Sequence, residues 1–212
     1  MASQSVAHLV LGAPLLVSFC TSLKTIDERF PDIPRMVARK DAGSQVCRED
    51  ASMVLPEGAA FFAVVVDSVG GLYVRSQECT ETIYFLRPEF ALLASLIPAD
   101  SACRVLVFHN RAGELQMGVY DLLRHAGADL RHQSLFERHA ILHHTFHFNM
   151  QMFQEHEACH GRHGRGCNIC VHSIGWHDAC VRLLESSLPF APAGVCVLHE
   201  DEYMRLLASQ DR

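Results

Sequence analysis

Histidine and cysteine residues cluster near the C-terminal third of the chain in a spacing that suits a metal ion. His156 and Cys159 are separated by two residues, and so are Cys167 and Cys170. Two ligand pairs of this kind are what two tight turns need to surround one tetrahedral Zn²⁺ with imidazole nitrogen and thiolate sulfur. Because four protein ligands would close the coordination sphere, the pattern predicts a structural zinc knuckle rather than a catalytic zinc.

The fourth zinc ligand is the least defined part of this prediction. Other residues close to the cluster are rival ligands, namely His163, His172, His177 and Cys180. The alternative is a flexible histidine-rich loop with unligated thiols. Elsewhere, His139 and His143 have the i,i+4 spacing of a metal pair, although a capped or solvated helix end explains that spacing better.

Apolar periodicity outlines the elements that must position these residues. Alternating or β-branched runs predict strands at 61–67, at 72–75, in "ETIYFL", on both sides of a turn at 110–113, in "FHFNMQMF" (146–153) and in "AGVCVLHE". Helical spacing marks "TSLKTIDERF", "PEFALLASLIP", "HQSLFERHAILHHTF" and "CVRLLESSL". The sum is a single α+β domain over 1–212 built on antiparallel strands, with the zinc knuckle as an insertion at 154–180.

Composition narrows the class of protein. The chain has 212 residues, of which 49% are hydrophobic and 20% charged, which is typical of a globular domain with a sizeable core. The net charge of −6 excludes a global basic field for nucleic acid, although a local basic groove stays open. Nine cysteines without a disulfide-like framework favour an intracellular, reducing compartment, either nucleus or cytoplasm. The apolar run at 6–20 is too short to span a membrane, so we interpret it as a core segment and expect no membrane partner.

The stretch "GVYDLLRHAGADLRHQSLFERHAIL" (118–142) resembles the core of the covalent nucleotidyltransferases, the superfamily of mRNA-capping guanylyltransferases and ATP-dependent DNA and RNA ligases. In that family one strand carries Asp-Gly-Glu, the next carries an aromatic residue before Asp, and a G-x-D-L…R…L segment leads into a helix. The matching residues here are Ala112-Gly113-Glu114, then Tyr120-Asp121, then Gly127, Asp129, Leu130, Arg138 and Leu142. The resemblance continues through "FHFNMQMF", at the place of a family strand with the pattern F-x-I-x-x-K-x-F, and through 186–204, which resembles the fourth motif.

The resemblance implies a lysine nucleophile that this chain lacks at the matching position. Family members attack an α-phosphate with a neutral lysine amine, and a divalent metal assists. In the best alignment the lysine position is Leu55 and the acidic position of the fourth motif is Ala193. A second alignment offers Lys40 before Gly43, a distorted K-x-D-G. With this alignment the chain would be an active guanylyltransferase, in which Lys40 takes GMP from GTP and passes it to an RNA 5′ end. The simpler interpretation of Lys40 is a solvated surface lysine.

The remaining matches imply a non-covalent nucleotide site. Tyr120 would stack on a base, and Glu114, beside Gly113, would accept hydrogen bonds from ribose hydroxyls. The alternative for Tyr120 is a core aromatic residue, and the alternative for Glu114 is an exposed residue near a turn.

The leading hypothesis is a catalytically degenerate domain, similar to snurportin in having lost the lysine motif. It would bind a nucleotide or RNA 5′ end, or serve as a structural subunit among protein partners in a larger assembly. The expected cofactors are structural zinc and GTP or a cap nucleotide with Mg²⁺. A third hypothesis is a zinc-stabilised protein-interaction module whose resemblance is coincidental.

Overall fold

The structure is a computed structural model that describes residues 11–14, 48–66, 72–76, 83–86, 90–159, 168–198 and 204–206. Over these residues the protein is α+β, with two mainly antiparallel sheets and few helices. The predicted α+β class with antiparallel strands is therefore confirmed. Lys40, Cys167 and the helix predicted in "TSLKTIDERF" lie outside the described residues.

Two sheets of different size form the body of the protein. The larger sheet contains β1 (Leu11–Pro14), β3 (Ala60–Val66), β4 (Leu72–Ser76), β5 (Ile83–Leu86), β6 (Ser101–His109), β7 (Leu115–His125), β8 (Ala128–Asp129) and β9 (Ile169–Val171). Its order is β1-β5-β4-β3-β6-β7-β8, and β9 pairs with β7 in parallel. The smaller sheet contains β2 (Ala51–Pro56), β10 (Gly175–Trp176), β11 (Pro192–Leu198) and β12 (Met204–Leu206), in the order β10-β2-β11-β12. The helices in the described ranges are α1 (Leu93–Leu96), α2 (Leu135–Cys159) and α3 (His177–Leu183).

The larger sheet separates two apolar cores, because successive side chains of a strand point to opposite faces. In β3, Phe62 and Val64 face α1 and α2, whereas Phe61 and Ala63 face the smaller sheet. We call the core between the two sheets, which contains Phe61 and Ala63, the inter-sheet core. It also contains apolar residues of β2 and β11, namely Met53, Val54, Val195, Cys196 and Leu198. The protein is thus layered as small sheet, large sheet and helices. Of the positions singled out by the family resemblance, Tyr120 and Leu55 pack in the inter-sheet core, whereas Leu130 and Leu142 belong to the core beneath the helices.

Most predicted hairpins are confirmed. β3 and β4 form the hairpin expected at 61–67 and 72–75, and β6 and β7 flank a turn at 111–113. The short β7–β8 hairpin turns through Ala126 and Gly127, both with positive φ (47° and 87°). Two central residues with positive φ match the handed twist of the strands that they join.

The strand predicted in "FHFNMQMF" is wrong, because α2 runs without a break through 25 residues. Its start is fixed by a capping box, in which the Ser134 backbone N–H donates to Glu137 Oε2 at 2.8 Å and the Glu137 N–H donates to Ser134 Oγ at 3.4 Å. Leu142 and Phe146 are one helical turn apart and both buried against the larger sheet. The family strand F-x-I-x-x-K-x-F therefore has no strand counterpart at this place.

The segment predicted as an insertion, 154–180, takes part in both sheets where it is described. It begins within α2, supplies β9 to the larger sheet and β10 to the smaller one, and ends in α3. In the described parts of the chain, no helix combines the length and apolar character needed to cross a membrane.

Candidate functional site

Tyr120 is buried in the inter-sheet core. Its side chain has 0% exposure, and its ring meets Phe61 edge-to-face with centroids 6.3 Å apart. Burial raises the pKa of its hydroxyl far above the ordinary value, so the phenol is neutral at any physiological pH. Tyr120 is therefore a core aromatic residue, as the alternative interpretation of this position predicted. Stacking on a base would require the surrounding core to open.

A β-bulge in β7 sets the position of Tyr120 and its neighbour. Arg104 of β6 pairs with Asp121, but the next residue, Val105, pairs with Val119, so Tyr120 is the extra residue of the bulge. The bulge brings Asp121 opposite Arg104. The residues two positions before and after Arg104 on β6, Ala102 and Leu106, face the inter-sheet core.

Asp121, Arg138 and Arg104 form a buried charge cluster. Asp121 accepts from Arg138 through both oxygens, with Nε at 2.8 Å from Oδ1 and Nη2 at 3.1 Å from Oδ2. Arg138 Nη1 also donates to the Gln133 carbonyl at 2.6 Å. Arg104 is less closely held, with Nη1 at 3.5 Å from Asp121 Oδ2. Asp121 and Arg138 are 17 positions apart in the sequence, and both were matched to the family pattern. They form a bidentate ion pair that connects α2 to β7.

Glu114 and Gly113 lie in the exposed β6–β7 turn, not on a strand. Asn110 organises this turn, because its Oδ1 accepts from the Ala112 and Glu114 N–H groups and its Nδ2 donates to Glu114 Oε2 at 2.8 Å. Gly113 has φ of +80°, a conformation that favours glycine. Glu114 is six positions before Tyr120, roughly 20 Å along an extended strand. The two side chains assigned to one nucleotide site are therefore not brought together in the described conformation.

The lysine and fourth-motif positions lie side by side on the smaller sheet, but without reactive side chains. Leu55 of β2 pairs with Gly194 of β11, directly after Ala193. Leu55 packs partly buried against the inter-sheet core, and the turn after β2 passes through Gly58 with φ of +68°. The strand pairing thus brings together the two positions that the resemblance matched to a nucleophile and to an acidic residue. Leucine and alanine at these positions can neither form a phosphoramidate nor bind a metal.

His172 is a structural residue that the sequence did not single out, except as a rival zinc ligand. Its Nε2 lies 2.9 Å from the Val54 carbonyl oxygen, and its ring packs against Phe108 and Phe190. A Cβ built on Gly118 would stand 2.9 Å from the His172 Cβ, so only glycine fits beneath it. His172 therefore joins β2 to the larger sheet.

The other described rivals for zinc are also held by β2. Cys180 Sγ donates to the Ser52 carbonyl oxygen at 3.3 Å, and His177 Nδ1 lies 3.2 Å from Ser52 Oγ. His139 and His143, for which a helix end was the preferred interpretation over a metal pair, have different partners. His139 Nδ1 lies 3.0 Å from the Tyr120 carbonyl oxygen, and His143 stacks on His147.

Acid should destabilise the protein through His172. Burial lowers its pKa below the ordinary 6.5, so the folded state keeps the imidazole neutral while the unfolded chain binds a proton. Because the unfolded state binds more protons, the free energy of unfolding should fall as pH drops below about 6.5. Burial acts in the same direction on His139 and His125. Urea unfolding at neutral pH and at about pH 5.5 should show this loss, with a smaller slope in His172→Gln. An unchanged slope in that variant would contradict the assignment.

The predicted zinc ligands are only partly within the described structure. Cys170 lies half-buried on β9, His156 and Cys159 lie in the last turn of α2, and Cys167 lies outside the described residues. Among the residues that are described, no three or more histidine, cysteine or acidic side chains converge as a metal site. The zinc knuckle stays a prediction.

No protein-family model matches the sequence, and no curated protein is significantly similar to it.

Proposed function

We propose that this chain is a catalytically inactive relative of the covalent nucleotidyltransferases that acts as a structural subunit of a larger protein assembly. The filled inter-sheet core is the observation that carries the proposal. Leu55 occupies the lysine position at the edge of that core, and Tyr120, the expected base platform, is completely buried within it. A core packed in this way stabilises the domain and leaves no ring face for a base.

The pairing of Asp121 with Arg138 supports the relationship to that superfamily. The two residues belong to different family motifs, and their bidentate contact gives both matches one structural reason. Leu130 and Leu142, matched in the same stretch, are both buried in the core beneath α2. A pattern whose members meet in space is less easily explained by chance than one whose members are scattered.

An exposed apolar pair on α2 supports a role in assembly. Phe148 and Met152 lie one turn apart and are 58% and 53% exposed. Contiguous exposed apolar surface is a mark of protein contact sites, whereas single exposed apolar residues are ordinary. The neighbouring residues His144 and His147 are exposed on the same helix.

Gel filtration of the native protein, extracted from the cells that make it, tests this function. We expect elution well above the 23.6 kDa of the single chain, and a shift toward that mass when Phe148 and Met152 are both replaced by serine. Ala140→Ser on the same helix is the matched control and should leave the elution unchanged. A wild-type protein that elutes as a single chain, or that binds GTP or a cap analogue with Mg²⁺ through Tyr120, would favour the nucleotide-binding or RNA-end-binding alternative.

We also propose that the protein holds one structural Zn²⁺ through His156, Cys159, Cys167 and Cys170. His156 and Cys159 belong to the last turn of α2, and Cys170 belongs to β9. Imidazole and thiolate are ligands that Zn²⁺ prefers. Zinc would brace a connection that has little apolar material of its own.

Metal analysis of the purified protein should give one zinc per chain. Cys167→Ser should lower this content and the melting temperature together, because a structural metal contributes its binding free energy to folding. Cys103→Ser, at a buried cysteine remote in sequence from the cluster, should keep the metal. A metal-free wild-type protein purified without chelator, or full zinc content in the Cys167→Ser variant, would contradict the site.

A further inference from the structure

Arg104 is a buried cation in the middle of the larger sheet. Its side chain is 7% exposed, and it extends from β6 between Ala102 and Leu106, which both belong to the inter-sheet core. Alternation along the strand directs Arg104 toward the same side. Arginine is seldom buried to this degree unless it is paired.

The buried charge cluster has one more positive charge than negative. Asp121 is the carboxylate of the cluster, and Arg138 already occupies both of its oxygens at 2.8 and 3.1 Å. Arg104 shares one of those oxygens through Nη1 at 3.5 Å. Its Nε is buried and has no hydrogen-bond partner within the described part of the chain. A buried guanidinium with an unsatisfied donor is costly, which calls for a further anion.

We propose that Arg104 forms a binding site for one phosphate oxyanion. The Nε and Nη2 donors of a guanidinium lie along one edge and match two oxygens of an oxyanion. Arg138 uses that same edge on Asp121. In Arg104 this edge includes the unpartnered Nε, because the contact with Asp121 is made by Nη1.

Phosphate suits the site better than sulfate or a carboxylate because it can donate as well as accept. A protonated phosphate can donate its hydroxyl to Asp121 Oδ2 while two other oxygens accept from Arg104. The Arg104 guanidinium also acts on Tyr120 next to the bulge, where it opposes the effect of burial on the pKa of the hydroxyl. The Nε atom of Arg104 is buried in this conformation, so the packing around it must open for a ligand to bind, and a small ligand, orthophosphate or the terminal phosphate of a nucleotide, needs the smallest opening.

Phosphorus NMR titration and thermal unfolding with inorganic phosphate test this site directly. We expect saturable binding in the millimolar range or tighter, and a rise in melting temperature with phosphate concentration. Sulfate should bind about tenfold more weakly, the worth of one lost hydrogen bond. Arg104→Gln should abolish the effect and Arg104→Lys, which keeps the charge but not the two-donor edge, should weaken it. Arg131→Gln, at an exposed arginine paired with Asp129, is the control and should bind phosphate as the wild type does.

Two results would overturn the site: no saturable phosphate binding by the wild-type protein, or equal binding by folded Arg104→Gln and Arg104→Lys variants. GTP serves as the second ligand to identify the source of the phosphate. If the protein binds orthophosphate but does not bind GTP, the structural-subunit proposal is unaffected. Binding of GTP that depends on Arg104 upholds the oxyanion site but contradicts the proposal that the chain binds no nucleotide, so the two proposals fail separately.

Discussion

Replacing Asp121 by asparagine should lower the free energy of unfolding by about 3–5 kcal/mol, because it leaves two buried guanidinium groups without a counter-charge. Asp121 is completely buried and is the shared partner of Arg138 and Arg104. An asparagine amide keeps the shape of the side chain but offers one acceptor in place of a carboxylate. Urea unfolding at neutral pH measures the change.

Asp129→Asn is the matched control for this prediction. Asp129 also binds an arginine, Arg131, through both carboxylate oxygens, but both side chains are 40–50% exposed. Exposed ion pairs contribute about 0–1 kcal/mol, so the control should lose little. Similar losses in the two variants would show that burial of the charge cluster is not what makes Asp121 important. Arg104→Gln added to Asp121→Asn should recover part of the loss by removing one uncompensated cation.

Tyr120→Ala should destabilise the protein by about 3–5 kcal/mol, as expected for the removal of a fully buried aromatic ring. The ring contacts Phe61 within the inter-sheet core, so its loss leaves a cavity between the sheets. Tyr120→Phe keeps the ring and should cost only about 1 kcal/mol for the hydroxyl. Thermal or urea unfolding compares the two variants.

Trp176→Ala is the control for the size of the Tyr120 effect. Trp176 is also a large aromatic residue, but it is 53% exposed, and its removal should cost far less than that of Tyr120. If Tyr120→Ala were as stable as the wild type and had instead lost affinity for a nucleotide, Tyr120 would be a binding residue and not a core residue.

The parts of the fold that depend on local patterns could be predicted from the sequence. The β3–β4 and β6–β7 hairpins follow from short apolar runs around turn residues. The helical pattern after Ser134 indicated the start of α2 because the capping box and the buried stripe agree. In contrast, "FHFNMQMF" fits both a period of two and a helical period, and continuation of the existing helix was decided by packing of Phe146 against the sheet.

The candidate site depends on long-range pairing, which the sequence reveals poorly. Arg104 has no local feature that indicates burial, and its importance appears only when β6 pairs with the bulge in β7. The Ala-Gly-Glu string resembles a strand motif in letters, but Asn110 closes it into a turn. Asp121 and Arg138 were matched one by one, and their bidentate contact is a property of the folded chain.

Intact mass spectrometry under denaturing conditions, after incubation with GTP or ATP and Mg²⁺ or Mn²⁺, tests most directly the claim that this chain has lost nucleotidyl transfer. We predict the unmodified mass of the chain with either nucleotide, because the proposed relationship aligns Leu55, which cannot form a phosphoramidate, with the attacking lysine. A species heavier by one nucleoside monophosphate, present in the wild type and absent from Lys40→Ala, would contradict the account and identify an active nucleotidyltransferase.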